Sequence, residues 1–363
     1  AELGLTDSMR HPVPGRVLLS SRRGVVEMPS GVTPVGPTKL LPTIASRILS
    51  PAGLLRAGLE PFNAHPHLDD VSVLNTFSLA VAAPALEQTV RNGDSIVAGT
   101  LKRNAAGRWS QLRHHSQRSG PRTPATATWK HGLMMLPEAL ARELTIHTNT
   151  RARGIRQVGH EWVVDVTGPH GVGSVAVDDV IIATPARVAG ALLATACPRA
   201  SELLSQCEST TVATLVMQAD LTDHPIATAQ TWFIGSAWSA LVRQVTNLST
   251  TWHLAKPTFR IAMGRQRGTP IDDLSDDDLV AMSVAELRRL GLALDPHDYV
   301  IERHRGAMPQ PAPGHRERMA QLAATLNGTG LHVGGAGIDG AGVGTAIAAG
   351  RRLARHITSK EEN

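Results

Sequence analysis

The fold of this chain is decided by one stretch, Leu331-His-Val-Gly-Gly-Ala-Gly-Ile-Asp-Gly-Ala-Gly-Val-Gly344. It starts as a short apolar strand, passes through a loop with six glycines, and continues into a helical pattern over 343–357. Glycines before a helix let a ligand approach the backbone closely, and the free N–H groups of the first helical turn attract negative charge. The stretch therefore predicts a strand–loop–helix unit whose turn is suited to a ligand.

The glycine spacing also matches the dinucleotide fingerprint, as Gly335-x-Gly337-x-x-Gly340. In a Rossmann unit this fingerprint is followed, about 20 positions on, by an acidic residue in a second strand. No second strand pattern follows the glycines here, so a simple Rossmann unit is not expected. Two interpretations remain, namely close strand–helix packing without a ligand, and the closing half of a flavin site whose nucleotide-binding half comes earlier in the chain.

Composition limits the class of protein. The chain has 363 residues, of which 42% are hydrophobic and 18% charged, so a sizeable core is expected and wholesale disorder is excluded. Two cysteines exclude a disulfide scaffold and a four-cysteine zinc site, and no H-x-x-x-H or CxxC pair predicts a metal. With 3% aromatics, a stacking platform for nucleic acid is not expected. The net charge of +5 suits an anionic ligand or an anionic membrane surface.

Strand and helix patterns alternate along most of the chain. Strands are predicted at 16–20, 145–150, 161–167, 211–217, 232–234, 259–263 and 299–303, with two more across 174–184. Helices are predicted at 52–59, 71–86, 136–144, 185–194, 279–290 and 343–357. Ser275 and Asp278 form a capping pattern before the fifth of these helices. The mixture predicts an α/β or α+β architecture.

Six further segments carry a resemblance to a known family. They are SPAGLLRAGLEP at 50–61, DVSVLNTF at 70–77, SIVAGT at 95–100, WKHGLMMLPEAL at 129–140, VIIATPA at 180–186, and AMPQ at 307–310 with GH at 314–315. In this order, and with the glycine stretch, they resemble the FAD-dependent protoporphyrinogen/coproporphyrinogen oxidases, relatives of the flavin amine oxidases. The likeness covers nearly the whole chain.

The resemblance implies an enzyme of haem biosynthesis that oxidises a porphyrinogen, either protoporphyrinogen IX or coproporphyrinogen III, to the porphyrin with oxygen as acceptor. It implies a cytoplasmic location with peripheral contact to the inner face of the cell membrane, and leaves a homodimer open. The implied fold is a partial FAD-binding domain interleaved with a mixed-sheet substrate domain and a helical membrane-associated subdomain. The implied boundaries are 1–36 and 201–305 for the substrate domain, 37–128 for the helical subdomain, and 129–200 and 306–363 for the FAD domain.

Five positions match residues that hold the cofactor in the family. Ala341, Gly342 and Val343 match backbone that faces the flavin, and the helix beginning there suits negative charge on a reduced flavin. Ala152 matches a residue whose backbone holds the adenine. His304 stands where the family often has Trp near the flavin, and a structural histidine is the alternative interpretation. No side chain is predicted to be catalytic.

Two positions match residues of the porphyrinogen pocket. Arg16 matches an arginine that pairs with a substrate propionate, for which a guanidinium fork is well suited. Gly99 matches a glycine that lines the pocket. A solvated surface arginine and a turn glycine are the alternatives for these two positions.

The chain also departs from the family. The strand–GxGxxG–helix unit that supplies most pyrophosphate contacts in the family is missing, and Pro311 and the pair Gly344-Thr345 replace a Tyr and a Pro-Asp pair. A fragment of a complete flavoenzyme and a degenerate relative without cofactor are both compatible with this pattern. The alternatives in function are another flavin amine oxidase-like oxidoreductase and a cofactor-free protein that binds a porphyrin or a partner.

Overall fold

The structure is a computed structural model that describes residues 2–21, 24–28, 32–33, 36–37, 127–221, 223–265, 268–312 and 314–361. The predicted helices over 52–59 and 71–86, the predicted pocket residue Gly99, and most of the predicted helical subdomain lie outside these residues. Among the described helices, none combines the length and apolar character that crossing a bilayer requires.

A seven-stranded mixed sheet is the largest element. Its strands are β2 (Arg16–Ser21), β3 (Gly24–Glu27), β11 (Glu208–Leu221), β12 (Ala229–Phe233), β13 (Val242–Asn247), β14 (Thr258–Met263) and β15 (Leu294–Gln310). They lie in the order β15-β11-β14-β13-β12-β2-β3. All neighbours are antiparallel except β12 and β2, which run parallel.

One face of this sheet carries the first hydrophobic core. Because side chains alternate along a strand, Leu215 and Met217 of β11 and Ile261 of β14 point to the same side, where they are fully buried. Helix α5 (Asp276–Arg289) covers that side with Leu279 and Leu287. The helix begins as predicted, because the Ser275 hydroxyl accepts the N–H of Asp278.

A second hydrophobic core lies around a three-stranded antiparallel sheet and a short parallel pair of strands. The sheet contains β7 (Arg151–Val158), β8 (Glu161–Gly168) and β9 (Gly171–Val177), and the parallel pair is β10 (Val180–Ile182) with β16 (Leu331–Val333). The helices at this core are α2 (Ala186–Leu192), α3 (Pro198–Ser205) and α6 (His315–Leu326). Two helices end the chain, α7 (Ala336–Asp339) and α8 (Val343–Glu361).

The smaller described elements complete the chain. They are the strands β1 (Met9–Arg10), β4 (Val32–Thr33), β5 (Gly36–Pro37) and β6 (Thr128–Trp129), the helices α1 (Met135–Ala141) and α4 (Leu248–Trp252), and 3₁₀ turns at Thr6–Ser8 and Pro225–Thr228. β1 pairs with β6 and β4 with β5, both antiparallel.

The mixed architecture is confirmed, and so are the strands predicted within β2, β8, β11, β14 and β15. The strand predicted over 145–150 is wrong, because Asn149 adopts a left-handed backbone with φ of 54° and the strand begins only at Arg151. The helix predicted over 136–144 ends at Ala141. Helices α3 and α6 and strand β13 are not among the elements that the sequence pattern predicts.

The first core contains a buried histidine next to the sheet. His224 is 6% exposed, its Nδ1 accepts the N–H of Ile226 at 3.1 Å, and its ring lies 5.0 Å from that of Trp232. Its Nε2 is buried and has no hydrogen-bond partner. Burial lowers the pKa of His224, while the charge of Asp223 opposes this shift. The folded protein therefore holds the neutral ring, which the accepted hydrogen bond also requires.

We expect the stability of the protein to fall as the pH drops below about 6.5, because the unfolded chain then binds a proton that folded His224 resists. Above that pH the two states bind equally few protons at this site, so the effect is absent. Asn at position 224 can accept the same N–H without titrating. Thermal unfolding against pH should therefore show a weaker acid dependence in His224→Asn, whereas exposed His160→Asn should keep the original profile. An unchanged profile in His224→Asn would contradict the prediction.

Candidate functional site

The parallel strands β10 and β16 bring two strand ends to one place. Val180 pairs with Leu331 and Ile182 with Val333, and the Gly334 N–H donates to the Ile182 carbonyl at 3.1 Å. Each strand leads directly into a helix, β10 into α2 and β16 into α7. Ligands of open α/β sheets bind outside the carboxyl ends of the strands, so this edge is the first place to look for a site.

A cavity of about 170 Å³ lies at this edge. Its lining residues come from the end of β10, the start of α2, the start of β11, the end of β15 and the start of α7: Ala183, Thr184, Pro185, Ala186, Arg187, Cys207, Glu208, Ser209, Gly306, Ala307, Pro309, Ala336 and Gly337. Binding pockets for whole ligands usually enclose roughly 300 Å³ or more. The cavity is therefore smaller than a usual pocket for a whole ligand.

The glycines of the loop divide into two kinds. A Cβ atom on Gly334 would lie 2.7 Å from Leu353 Cδ1, so Gly334 lets α8 pack against the end of β16. A Cβ atom on Gly337 would lie 3.1 Å from Ala186 Cβ, so Gly337 lets α7 pack against α2. Gly342 has φ of +118° and Gly344 an ordinary φ, and a Cβ on either would meet nothing within 4 Å. Packing therefore accounts for the first two glycines but not for Gly342 and Gly344.

Asp339 connects the start of α7 with α8 through two hydrogen bonds. Its carboxylate accepts the Gly335 N–H at 2.8 Å and a guanidinium N–H of Arg352, also at 2.8 Å. The first bond satisfies an amide at the start of α7, and the second connects α7 to α8. Since the carboxylate already occupies that amide, we do not expect a phosphate group at the start of α7.

Among the described residues that line the cavity, Thr184 has a buried polar side-chain atom without a partner. The hydroxyl oxygen of Thr184 is buried and makes no hydrogen bond. Burying a polar group unpaired is unfavourable by about 1–3 kcal/mol, so such an atom points to a ligand that completes its hydrogen bonding. The signal in the sequence for Thr184 was its position just after the strand pattern within the segment VIIATPA.

The cavity is also lined by three titratable residues, Cys207, Arg187 and Glu208, which differ in their exposure. Burial raises the pKa of the Cys207 thiol, against the opposing charge of Arg318, so Cys207 is a neutral thiol at neutral pH. Arg187 and Glu208 are exposed at the cavity mouth. The cavity wall is therefore uncharged inside and charged only at its rim.

None of the five predicted cofactor residues is among the residues that line this cavity. His304 lies on β15 opposite Val212, two residues before the lining residue Gly306, and is exposed. Ala152 lies on β7 and packs against the second core. Its predicted contact with adenine stays a prediction.

The turn Ala341-Gly342-Val343 is exposed just beyond the loop. The Ala346 N–H donates to the Gly342 carbonyl at 3.0 Å, which is the first hydrogen bond of α8. The N–H groups of the first helical turn consequently have no partner within the helix. Within the glycine loop, Gly337 of α7 lines the cavity and this turn does not, so the two features are neighbours along the chain but not one wall.

Arg16 lies far from the cavity. It is exposed on β2, donates to the Thr228 hydroxyl, and lies 3.9 Å from the Glu27 carboxylate. Four strand spacings separate β2 from β11, about 19 Å at 4.8 Å each. The structure therefore does not bring Arg16 together with the cavity residues, and its propionate contact stays a prediction.

Comparison with known proteins gives relatives in both sequence and structure. No family model matches the chain. It is 29% identical over 286 residues to a coproporphyrinogen III oxidase of Mycobacterium tuberculosis, which covers 77% of this chain and 58% of that protein. It is 23% identical over 390 residues to one of Bacillus subtilis, over 96% of this chain and 81% of that protein. The chain thus spans less than two thirds of the length of the mycobacterial relative.

Solved structures share the fold. A putative protoporphyrinogen oxidase from Exiguobacterium sp. 255-15 superposes with a TM-score of 0.70 at 16% identity, over 100% of this chain and 84% of that one. Cyclohexylamine oxidase from Brevibacterium oxydans gives 0.61 at 14% identity, with the same coverage. The resemblance to the porphyrinogen oxidases and the mixed α/β fold class, both predicted from the sequence, are thereby confirmed.

Proposed function

We propose that this chain carries out, as part of a flavoprotein, the FAD-dependent oxidation of a porphyrinogen to the porphyrin. The observation that carries the proposal is the edge where β10 and β16 end, with the unpaired hydroxyl of Thr184 in its wall. The names of the relatives favour coproporphyrinogen III as the substrate over protoporphyrinogen IX. The proposed setting is haem biosynthesis.

The residues present fit a flavin. Thr184 offers a buried hydrogen-bonding group, Gly337 and Ala336 offer backbone in the cavity wall, and Gly342 leaves open space in front of a helix start. Bound FAD supplies a two-electron acceptor, so that three successive oxidations turn a porphyrinogen into a porphyrin while three molecules of oxygen become hydrogen peroxide.

The residues of the chain then act by position and charge. The free N–H groups at the start of α8 stabilise negative charge on a ring placed against them. The neutral thiol of Cys207 is held away from reaction because burial opposes its ionisation. This agrees with a reaction for which no catalytic side chain is proposed.

The domain roles follow from the same proposal. The seven-stranded sheet belongs to the substrate domain, and the parallel pair with the glycine loop belongs to the FAD domain. Oxygen as acceptor, peripheral contact with a membrane, and Ala152 as an adenine contact are parts of the proposal that need separate tests.

The test is flavin binding by the full-length protein, measured by visible absorbance and by titration, followed by oxidation of coproporphyrinogen III. We expect Thr184→Val to weaken FAD binding about tenfold, the effect of one lost hydrogen bond. Exposed Thr145→Val serves as the control and should bind FAD as the parent protein does. A full-length protein that takes up no FAD would overturn the proposal and favour the cofactor-free alternative.

A further inference from the structure

The seven-stranded sheet has a second face, opposite the first hydrophobic core, which we call the open face. Two rows of side chains cross it, as the strand registers require. The near row, closer to the cavity, is Leu19, Phe233, Gln244, Ala262 and Thr214. The far row, two residues further along each strand, is Val17, Thr231, Thr246, Arg260 and Val216.

The two rows differ in chemistry. Apolar side chains of Leu19, Phe233 and Ala262 dominate the near row, and they are buried or half-buried. The far row carries a cation, Arg260, between polar Thr246 and apolar Val216. A ligand with an apolar ring and carboxylates at its edge would match the two rows, with the ring on the near row and a carboxylate at Arg260.

Arg260 has no counter-ion among the described residues. Its one hydrogen bond runs from Nη2 to the Thr246 hydroxyl and is long, at 3.4 Å. That hydroxyl also accepts a hydrogen bond from the Gln244 amide at 3.0 Å. Arg260 is exposed as a whole residue, and partial burial of its guanidinium lowers its pKa.

Other arginines of the protein show what is missing at Arg260. Arg156 lies 3.2 Å from the Asp165 carboxylate, Arg303 lies 2.6 Å from that of Asp276, and Arg352 lies 2.8 Å from that of Asp339. Each of these arginines is paired within the fold. A guanidinium fork that extends from a sheet without such a pair is suited to a carboxylate brought by a ligand.

The open face and the cavity have strands in common. β11 and β15 supply cavity residues at Ser209 and Gly306, and both strands then run beside the open face. From Val212, opposite His304, to Val216, opposite Arg260, is about 13 Å along β11 at 3.3 Å per residue. A macrocycle with extended carboxylate side chains can span this distance.

We propose that Arg260 binds a carboxylate side chain of a tetrapyrrole that lies on the open face with its ring over the near row. The inference rests on the proposed function and deepens it, because it names the residue that recognises the acidic margin of the substrate. Arg260 is thus a binding and specificity residue and takes no part in the oxidation itself.

The test is binding of coproporphyrin III and of its tetramethyl ester to the flavin-loaded full-length protein, measured by fluorescence. We expect Arg260→Gln to weaken binding of the acid about tenfold to a hundredfold, the effect of losing a charge-assisted hydrogen bond. Binding of the ester should change little, since it carries no carboxylate. Arg156→Gln is the control, because it removes an exposed arginine from a different sheet.

Equal affinity of Arg260→Gln and the parent protein for the acid would overturn the inference while leaving the proposed function intact. Equal losses for acid and ester would also overturn it, since they indicate a structural role. If Arg260→Gln does not fold, Arg260→Lys gives the same comparison, with an intermediate loss for the acid alone. A parent protein that binds neither flavin nor porphyrin would overturn the proposed function first and the inference with it.

Discussion

Alanine at position 264 is expected to destabilise the protein by about 3 kcal/mol or more. Gly264 has φ of +95°, where an L-residue is strained by about 1–2 kcal/mol. In addition, a Cβ atom there would lie 2.5 Å from the carbonyl oxygen of Thr211 and 3.1 Å from Val212 Cα. Both are backbone atoms inside the sheet, so the contact is relieved only by moving β11.

Gly291→Ala is a matched control for this prediction. Gly291 has φ of +90°, yet a Cβ atom there would meet nothing within 4 Å. It therefore carries the backbone strain without the collision, and we expect a loss of only about 1–2 kcal/mol. Denaturant unfolding of both variants measures the difference. Equal losses at the two positions would show that the contact with Thr211 is unimportant.

The movement of β11 that Gly264→Ala causes should also alter the candidate site. The Thr211 hydroxyl donates to the Asp272 carboxylate at 2.6 Å and accepts the N–H of Gly306 at 3.0 Å. Gly306 lines the cavity at the end of β15. We therefore expect the folded fraction of Gly264→Ala to bind FAD more weakly than that of Gly291→Ala, if the proposed cofactor site is correct.

Much of the fold was predictable because its signals are local. The alternation of Phe259, Ile261 and Met263 with smaller or polar residues predicts a strand with one buried face, and the structure has it. The serine before three aspartates predicts the start of α5, which its hydroxyl caps. Such signals depend on a few neighbouring residues and are independent of how the rest of the chain folds.

The site was less predictable because it depends on contacts distant in sequence. The glycine loop was singled out, but only the structure separates Gly334 and Gly337, which are packed against Leu353 and Ala186, from Gly342, which is not. Arg260 gave no signal as a single residue in a strand, and its lack of a counter-ion becomes visible only once β13 and β14 are paired. Thr184 was part of a quoted segment, but its unpaired hydroxyl depends on the packing around β10.

The largest effect on flavin binding is expected from Gly342→Ala. Gly342 has φ of +118°, and nothing lies within 4 Å of the place that a Cβ atom would take, so the start of α8 is open to a flat ligand. A Cβ atom would stand between such a ligand and the N–H groups of the first turn. We expect affinity for FAD to fall about a hundredfold, from overpacking together with lost hydrogen bonds.

Gly171→Ala separates this effect from backbone strain. Gly171 is the first residue of β9, directly after the turn from β8, with φ of +97° and open space around it, so its replacement should reduce stability about as much as Gly342→Ala does. Flavin titration of the two full-length variants, with thermal unfolding as the measure of strain, decides the matter. If both retain FAD equally, the flavin ring does not lie against Ala341–Val343, and the amides that stabilise its reduced form must be sought in the cavity wall at Ala336 and Gly337 instead.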